Sequence, residues 1–316
     1  MDRRRLVFSL ATAAVAPGIT RATFAQTSDS GETRIITDVR GEQEIPANPQ
    51  AVVALGEEFL LADLLELGIK PIAAAGNYAE QYVGIDPSLT EGLEPFTMWE
   101  LDIEALSQLP MDLILVPEVY YTSQKEGFEI ISALAPMVVI PGNPDWREGF
   151  SWLAAVFGKE EEAQEKIAEL ESEIAQTAED LALDGQTVSF ATIYPGASEL
   201  TLWLTENLMI VEVAMELGLT VVPDAADYEP DQIGRARIGL EQVQVIQGET
   251  LLMLQTTGGL APEEDLSYQE LLESTAFQGL PAPQNDRVFI VERVGYPGAI
   301  PGRRNLLGRY REIFGE

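Results

Sequence analysis

DIEALSQLPMDLILV, residues 102–116, is typical of a helix that runs into a buried strand. A related stretch, GLEQVQVIQGETLLM, occupies residues 239–253. When the two stretches are aligned, Glu104 lies over Glu241, and the apolar positions of one fall on apolar positions of the other. The chain therefore carries one helix–strand unit twice, with a glutamate at the same place in both copies.

Short apolar runs alternate with helical patterns along most of the chain, and each run is typical of a buried strand. The runs occupy residues 51–55, 71–76, 113–117, 137–141, 187–193, 219–222, 250–255 and 287–291. The helix predicted from Glu57 to Leu67 is closed by Gly68, and a second Glu-Leu-Gly helix end precedes residues 219–222. This alternation predicts an α/β fold with mainly parallel sheets flanked by helices.

One long helical pattern interrupts this alternation, at residues 159–185. Its apolar residues recur at helical spacing, and Gly185 is expected to end it. A helix of this length reaches roughly 37 Å at 1.5 Å per residue, which is the width of a lobe or more. We therefore expect two similar lobes joined by one long helix. The expected divisions are residues 26–150 for the N-terminal lobe, 151–185 for the interlobe helix and 186–316 for the C-terminal lobe.

The composition excludes several kinds of chemistry. The 316 residues include no cysteine and no histidine, which rules out disulfides, catalytic thiols, the usual zinc clusters and histidine-based triads. A metal would be handled through carboxylates, tyrosines or a ligand that already holds it. The formal net charge of −33 excludes nucleic acid and anionic membrane surfaces as partners.

The first 25 residues resemble an export signal, with a basic start, an apolar middle and small residues before Ala25. The apolar middle is too short to cross a bilayer. The stretch Arg3-Arg4-Arg5-Leu6-Val7 fits a twin-arginine signal, which implies export after folding. No cysteine follows the expected cleavage site, so the sequence predicts a soluble periplasmic protein without a lipid anchor and without membrane insertion.

Three longer stretches, within residues 52–76, 101–117 and 135–174, resemble the periplasmic substrate-binding proteins of ABC importers. They are similar to the class that binds ferric siderophores, haem or cobalamin, and the resemblance covers nearly all of residues 45–316. It implies two lobes with a ligand cleft between them and one long helix that limits closure. It also implies that an exposed glutamate on each lobe meets arginines of the permease dimer in the inner membrane. Glu104 and Glu241 match these two positions.

Ligands of such sheets bind beyond the carboxyl ends of the strands, so we searched the residues that follow each strand. The resemblance adds Trp99, at a place where relatives often put an aromatic residue against the ligand. The predicted ligand-binding residues are Asn77, Tyr78, Trp99, Tyr120, Tyr121, Tyr194, Trp203, Arg235, Arg237, Arg293 and Tyr296. Aromatic rings and arginines together suit a bulky, oxygen-rich and anionic metal chelate. The arginines of the terminal helix, from Arg303 to Arg311, are expected to be solvated instead.

The favoured ligand is a ferric siderophore complex, with no cofactor and no direct protein ligand to the metal. Haem or cobalamin remains an alternative within the same class, and direct binding of ferric iron by the Tyr120-Tyr121 phenolates is a minor one. No G-x-S-x-G, P-loop or dinucleotide motif occurs in the sequence. A secreted hydrolase with a carboxylate pair is the alternative from another class, and a sensor built on the same fold is a third. We expect a monomeric binding protein rather than an enzyme.

Overall fold

The computed structural model describes residues 32–77, 82–142, 145–194, 198–231, 233–255, 266–292 and 296–315. The described residues from Glu32 onward form one compact unit. The predicted signal segment lies outside the described residues. Within the described part of the chain, no helix is both long and apolar enough to cross a membrane.

The first sheet has five parallel strands in the order β5-β4-β3-β6-β7. The strands are β3 Val52–Leu55, β4 Ala73–Gly76, β5 Glu94–Thr97, β6 Leu113–Pro117 and β7 Met137–Ile140. Four of them follow the predicted apolar runs, because strands covered by helices on both faces are apolar throughout. β5 has no such run, since it is an edge strand that buries only Phe96. We call this sheet and its helices the N-lobe.

The second sheet is mixed and has the order β11-β9-β8-β12-β13, with β10 beside β8. The strands are β8 Thr187–Ile193, β9 Glu199–Trp203, β10 Thr220–Val221, β11 Arg235–Gly239, β12 Thr250–Gln255 and β13 Val288–Glu292. β9 is antiparallel to both β8 and β11, whereas β10, β12 and β13 continue the parallel pattern. We call this sheet and its helices the C-lobe.

The predicted repeat is present in the topology. In the N-lobe, β3 lies between β4 and β6, and β7 follows β6; in the C-lobe, β8 lies between β10 and β12, and β13 follows β12. Gly68 and Gly218 end the helices before β4 and β10, with φ of 69° and 93°. Left-handed backbone of this kind favours glycine at a helix end. Both lobes therefore share the order of these four strands.

An N-terminal hairpin, β1 Thr33–Asp38 and β2 Gly41–Pro46, covers the free edge of β7. The carboxylate of Asp38 accepts a 2.8 Å hydrogen bond from the backbone N–H of Val139, and the Arg40 guanidinium donates to the carbonyl of Met137. Asp38 and Arg40 also form an ion pair at 2.6 Å. These two side chains thus occupy edge groups that would otherwise be open to another strand.

The helices fill the faces of both sheets. They are α1 Glu57–Glu66, α2 Pro87–Thr90, α3 Ile103–Leu106, α4 Glu118–Ser123, α5 Lys125–Ile131, α6 Trp146–Val156, α7 Glu160–Leu181, α8 Met209–Glu216, α9 Leu266–Glu273, α10 Thr275–Gln278, α11 Pro281–Gln284 and α12 Ile300–Phe314.

The long helix differs in detail from the sequence prediction. The predicted interlobe segment 151–185 contains the end of α6 and all of α7, which are separated by Gly158 at φ +68°. α7 ends at Leu181 rather than at Gly185, because Ala182 turns into the left-handed conformation at φ 47°. Its 22 residues still span about 33 Å.

One apolar core passes from lobe to lobe. It joins Leu61 of α1 and Phe150 of α6 to Ile210 of α8 and Leu306 and Tyr310 of α12, together with the buried face of α7. The outer face of each sheet has a separate core of its own. The lobes are therefore packed against each other by shared apolar side chains as well as by the chain that connects them.

Candidate ligand cleft

A cleft of about 700 Å³ lies between the two lobes, within the size range of small-molecule sites. Its N-lobe wall is formed where β3, β6 and β7 end and by the first turns of α1 and α6. Its C-lobe wall comes from the segment before α8 and from the start of α12. The lining includes Gly56, Phe59, Asp63, Pro117, Gly142, Trp146, Phe150, Glu206, Asn207, Glu212, Ile233, Tyr296, Ala299 and Arg303.

Arg303 is a buried cation in the cleft wall. The side chain is only 5% exposed, and the guanidinium pairs with the carboxylate of Glu212 and donates to the carbonyl of Ala299 at 3.1 Å. It also lies over the Trp146 ring, 4.7 Å from the centroid. Burial lowers the pKa of Arg303, and Glu212 opposes that shift. The expectation that this arginine would be solvated was wrong, because α12 turns this face inward.

Asp63 connects the walls of the cleft. Its carboxylate accepts a 2.6 Å hydrogen bond from the backbone N–H of Ala299 on the opposite lobe. Burial raises the pKa of Asp63 to about 7, although this hydrogen bond and the nearby Arg303 act in the other direction. Gly298 makes this close approach possible, since a Cβ on it would come within 2.9 Å of the Ala62 Cβ.

Trp99, Tyr120 and Glu57 form an aromatic and acidic group at the rim of the N-lobe, which we call the rim group. The Trp99 side chain is 63% exposed, and its ring meets the Tyr120 ring edge-on at 6.1 Å between centroids. The Tyr120 hydroxyl donates a hydrogen bond to the Glu57 carboxylate, and burial together with this bond raises the pKa of the phenol. Tyr120 therefore stays protonated and acts as a donor.

The backbone of the β3–α1 turn places Glu57 at the rim. Glu57 has a φ of 55°, which is rare outside glycine and costs about 1 kcal/mol or more. Gly56 before it is tightly enclosed, because a Cβ there would lie 2.7 Å from atoms of Leu60 and Pro117. Glu57 lies two residues after the strand predicted at residues 51–55, a position at which a polar side chain has the sequence signal of a candidate contact.

Two other predicted N-lobe residues are held by their neighbours. Asn77 donates from its side chain to the buried Glu58 carboxylate at 2.8 Å, and its backbone N–H donates to the same carboxylate. The Tyr121 ring packs against Phe128 at 6.3 Å between centroids and lies under the Arg40 guanidinium. Tyr121 thus packs away from the partners of its neighbour, Tyr120. This arrangement argues against a pair of phenolates that bind one iron.

Arg235 and Arg237 lie on one face of the edge strand β11. The alternate residues Ala236 and Ile238 are buried in the outer core of the C-lobe. Arg235 is partly buried and pairs with Asp231 at 2.8 Å, whereas Arg237 is exposed. Ile233, just before this strand, lines the cleft, whereas neither arginine belongs to its described lining.

The remaining predicted residues fall in different places. Trp203 is a correction: it is 2% exposed, and its indole N–H donates to the Thr192 hydroxyl at 2.9 Å, so it packs in the core and does not face a ligand. Tyr296 lines the cleft, and burial raises its pKa. Tyr194 is partly buried directly after β8. Tyr78 and Arg293 lie outside the described residues.

Glu104 and Glu241 are exposed, and each lies in the first turn of a short helix. Glu104 follows β5 on α3, and Glu241 follows β11 by two residues on a 3₁₀ helix, Leu240–Val245. β5 runs parallel to β3, and β11 runs parallel to β8. Each glutamate therefore follows its strand at the edge of the sheet where the central strand also ends. The elements after them, β6 and β12, hold equivalent positions in the two sheets.

A family model described as "Periplasmic binding protein" matches residues 96–293. The chain belongs to the periplasmic binding protein family. As a member of this family it is a binding protein and not an enzyme. Within the described residues, no group of three or more acidic side chains is placed to hold a metal ion.

Individual members of the periplasmic binding protein family resemble this one along most of its length. The ferric enterobactin-binding periplasmic protein FepB of Escherichia coli is 24% identical over 301 residues, which cover 89% of this chain and 91% of FepB. The structure of Staphylococcus aureus SirA complexed with staphyloferrin B has a TM-score of 0.72 at 17% identity and covers 90% of this chain and 99% of SirA.

A third protein shares the arrangement. The structure of a FhuD fold-family periplasmic binding protein from Bacillus subtilis, described as a component of a Fep/Fec-like ferrichrome ABC transporter, has a TM-score of 0.74. It is 20% identical and covers 89% of this chain and all of its own. At these identities the structural likeness establishes the fold: two α/β lobes with a long connecting helix.

Proposed function

We propose that this protein is exported, captures a ferric-siderophore-type metal chelate in the interlobe cleft and delivers it to the permease of an ABC importer. The observation that carries the proposal is the cleft of about 700 Å³ at the strand ends. The exposed Trp99 and its neighbour Tyr120 lie on the lobe that forms one wall of this cleft. A bulky chelate needs a wide, mostly apolar cleft with few fixed polar groups. A relative named for binding ferric enterobactin and a structural neighbour complexed with staphyloferrin B support this ligand class.

The rim chemistry favours a metal that arrives already chelated. Tyr120 is kept protonated by burial and Glu57, and a protonated phenol is a poor ligand for ferric iron. Asn77, Tyr194, Tyr296, Arg235 and Arg237 remain candidate contacts, and Tyr78 and Arg293 remain predictions from the sequence alone. Haem and cobalamin remain the alternative ligands, since both also bring their metal in a preformed complex.

Delivery would use Glu104 and Glu241 as the docking pair. Both carboxylates are exposed after a strand's carboxyl end in equivalent units of the two lobes. Exposed acids at such positions steer an encounter and fix its orientation rather than supply most of the affinity. A permease that presents arginines to both lobes would therefore recognise the protein as a monomer with two contact points.

The ligand is tested by titrating the tryptophan fluorescence of the purified protein with four probes: a ferric hydroxamate, a ferric catecholate, haem and cobalamin. The proposal expects saturable quenching by a ferric chelate, because Trp99 is exposed at the rim. If only haem or cobalamin binds, the alternative within the same class replaces it. If none of the four binds, the transport proposal is wrong.

Export is tested separately by cell fractionation. A twin-arginine signal at residues 1–25 predicts that the processed protein appears in the periplasm and that replacing Arg3, Arg4 and Arg5 by lysine keeps it in the cytoplasm. Processing directly after Ala25 would be seen by N-terminal sequencing of the exported form. Export that persists after these substitutions would contradict the twin-arginine proposal.

A further inference from the structure

Two buried N–H groups in the wall of the cleft have no hydrogen-bond acceptor among the residues that the structure describes. They are the indole Nε1–H of Trp146, at the start of α6, and the Nε–H of Arg303, on α12. Both side chains line the cleft, and they are only 6% and 5% exposed. A buried donor without an acceptor loses the free energy of its hydration, so folded proteins leave few such donors unpaired. Two of them in one cleft wall therefore require a specific explanation.

The two donors belong to side chains that hold each other in place. The Arg303 guanidinium lies over the Trp146 ring, 4.7 Å from the centroid, and its other nitrogens donate to Glu212 and to the carbonyl of Ala299. Because an indole N–H lies in the plane of its ring, a cation over the ring face leaves that N–H unsatisfied. The contacts within the fold thus fix both groups and leave one N–H of each to be paired.

Trp203 shows how the same group is satisfied away from the cleft. Its indole is also buried, and its N–H donates to the Thr192 hydroxyl at 2.9 Å. The fold therefore provides an acceptor for a buried indole in the core, where no ligand binds. The Trp146 indole lacks such an acceptor at the wall of the cleft, where a ligand can supply one.

We infer that Trp146 and Arg303 determine the specificity of the cleft, and that their two spare N–H groups bind a carbonyl or carboxylate oxygen of the ligand that does not coordinate the metal. This inference rests on the proposed chelate-binding function and names the ligand group that the cleft recognises. Both nitrogen atoms are shielded from water, so a small side-chain rotation accompanies entry of the oxygen, and no hydrogen-bonded water has to be displaced. A ligand without such an oxygen leaves both donors unpaired, which is a strong basis for discrimination.

The charges around the donor pair are compatible with either kind of oxygen. Glu212 offsets the charge of Arg303. Burial raises the pKa of Asp63, which also lines the cleft, to about 7. Asp63 therefore carries less than a full negative charge near neutral pH, and these three groups together form neither a strongly positive nor a strongly negative site. The experiment has to distinguish a carbonyl from a carboxylate oxygen.

Nuclear magnetic resonance of the indole N–H groups tests the donor pair directly. The chain has 4 tryptophans, so the ¹⁵N-labelled protein gives one indole signal for each, and single Trp→Phe variants assign them. The probes are diamagnetic: gallium enterobactin, gallium desferrioxamine B and cobalamin carry carbonyl oxygens without a free carboxylate, whereas gallium citrate and gallium protoporphyrin carry carboxylates. We expect a bound probe to move the Trp146 signal downfield, because a hydrogen bond forms, while the Trp203 signal stays in place. The probes that cause the shift identify the kind of oxygen.

Two substitutions measure what the donor pair contributes to binding. Trp146→Phe removes the indole N–H but keeps an aromatic ring beside Arg303, and Arg303→Lys removes Nε but keeps a cation for Glu212. Each should weaken binding of the probe that shifts the Trp146 signal roughly three- to tenfold, because one hydrogen bond is lost. Trp203→Phe is the matched control and should leave that affinity unchanged. In urea unfolding it should destabilise the fold more than Trp146→Phe does, since only Trp203 loses a hydrogen bond within the protein.

A probe that binds without moving the Trp146 signal, and with the same affinity in the Trp146→Phe variant, would contradict the inference and leave the proposed function standing. A Trp146 signal that is already downfield in the free protein and moves upfield in the Glu216→Ala variant would also contradict it. The buried Oε2 of Glu216, which has no partner in the described part of the chain, would then be the acceptor. Failure of every probe to bind would instead overturn the proposed function, and the inference with it.

Discussion

The carboxylate of Asp63, on α1 of the N-lobe, accepts a 2.6 Å hydrogen bond from the backbone N–H of Ala299, which directly precedes α12 of the C-lobe. Asp63 faces Arg303 and Glu212 across the cleft wall and Glu66 on its own helix. Its burial between the two lobes is the reason that its pKa lies well above the ordinary value of 3.8. The Asp63 carboxyl at the lobe contact therefore gains and loses its proton near neutral pH.

This shift predicts a pH-dependent stability. Because the folded-state pKa of Asp63 is about 7 and the unfolded value is 3.8, the folded protein binds a proton that the unfolded chain releases between these values. The Asp63 contribution is fully present below about pH 4, declines as pH rises to about 7 and is constant above that. Asp63 is partly open to the cleft, so the slope should be smaller than about 1.4 kcal/mol per pH unit.

Asp63→Asn removes this titration while keeping an acceptor for the Ala299 N–H. Urea unfolding from pH 4 to pH 8 should show that the stability difference between the variant and the unmodified protein shifts in favour of the variant as pH rises. Asp86→Asn, on an exposed turn, serves as the control. Parallel pH curves for the Asp63→Asn variant and the unmodified protein would show that Asp63 does not titrate in this range.

The tryptophans predict a separation of binding from stability. Trp99→Ala should weaken chelate binding roughly fivefold, because it removes about 1 kcal/mol of aromatic contact, and it should reduce the fluorescence change. Trp203→Phe should leave affinity unchanged but lower the free energy of unfolding by about 1–3 kcal/mol, because it loses buried volume and the bond to Thr192. Fluorescence titration and urea unfolding measure the two effects. Weaker binding in the Trp203→Phe variant would place that residue at the ligand after all.

The docking pair predicts loss of transport without loss of binding. The double reversal Glu104→Arg and Glu241→Arg should abolish permease-dependent uptake, because two attractive contacts become repulsive. The chelate affinity should stay within about twofold, since the two exposed side chains do not line the described cleft. Uptake of radioactive iron in cells measures the first effect, and fluorescence titration measures the second. Reversal of two exposed acids on α7, Glu161→Arg and Glu165→Arg, makes the same charge change and should leave uptake intact.

Asp38 joins the N-terminal hairpin to the edge strand β7, and this contact predicts that the hairpin contributes strongly to the stability of the fold. The Asp38 side chain is fully buried and holds both Arg40 and the Val139 N–H. Asp38→Ala should therefore lower the free energy of unfolding by about 2–4 kcal/mol, since it leaves a buried donor and a cation without their acceptor. Glu42→Ala, exposed in the same hairpin, should change stability by less than about 0.5 kcal/mol. Urea midpoints compare the two variants.

The sequence predicted best the strands that are covered by helices on both faces of the sheet. β6 and β12 are covered on both faces, so each appears as an unbroken apolar run that periodicity detects. Gly68 and Gly218 marked the helix ends, because only a left-handed residue fits there. The strands β1, β2, β5 and β9 were missed, since polar residues and edge positions interrupt their apolar pattern.

The cleft was less accessible to sequence reasoning. Rules about strand ends place Asn77 and Tyr120 correctly after β4 and β6, yet they cannot show that Trp203, the last residue of β9, points into the core. The burial of Arg303 depends on how α12 packs against α8, which are about 90 residues apart along the chain. Charge pairing between such distant elements has no local sequence signal. The sequence therefore could not show which arginines are already paired with carboxylates of the fold.

The apolar core that runs through both lobes also determines whether either copy of the repeat can fold without the other. Leu61 and Phe150 from one copy and Leu306 and Tyr310 from the other complete the same interior. A fragment that ends before α7 would leave one side of that interior in water, and so would its complement. Neither half is thus a self-sufficient folding unit, and calorimetry should record one cooperative transition for the whole chain instead of two separate meltings.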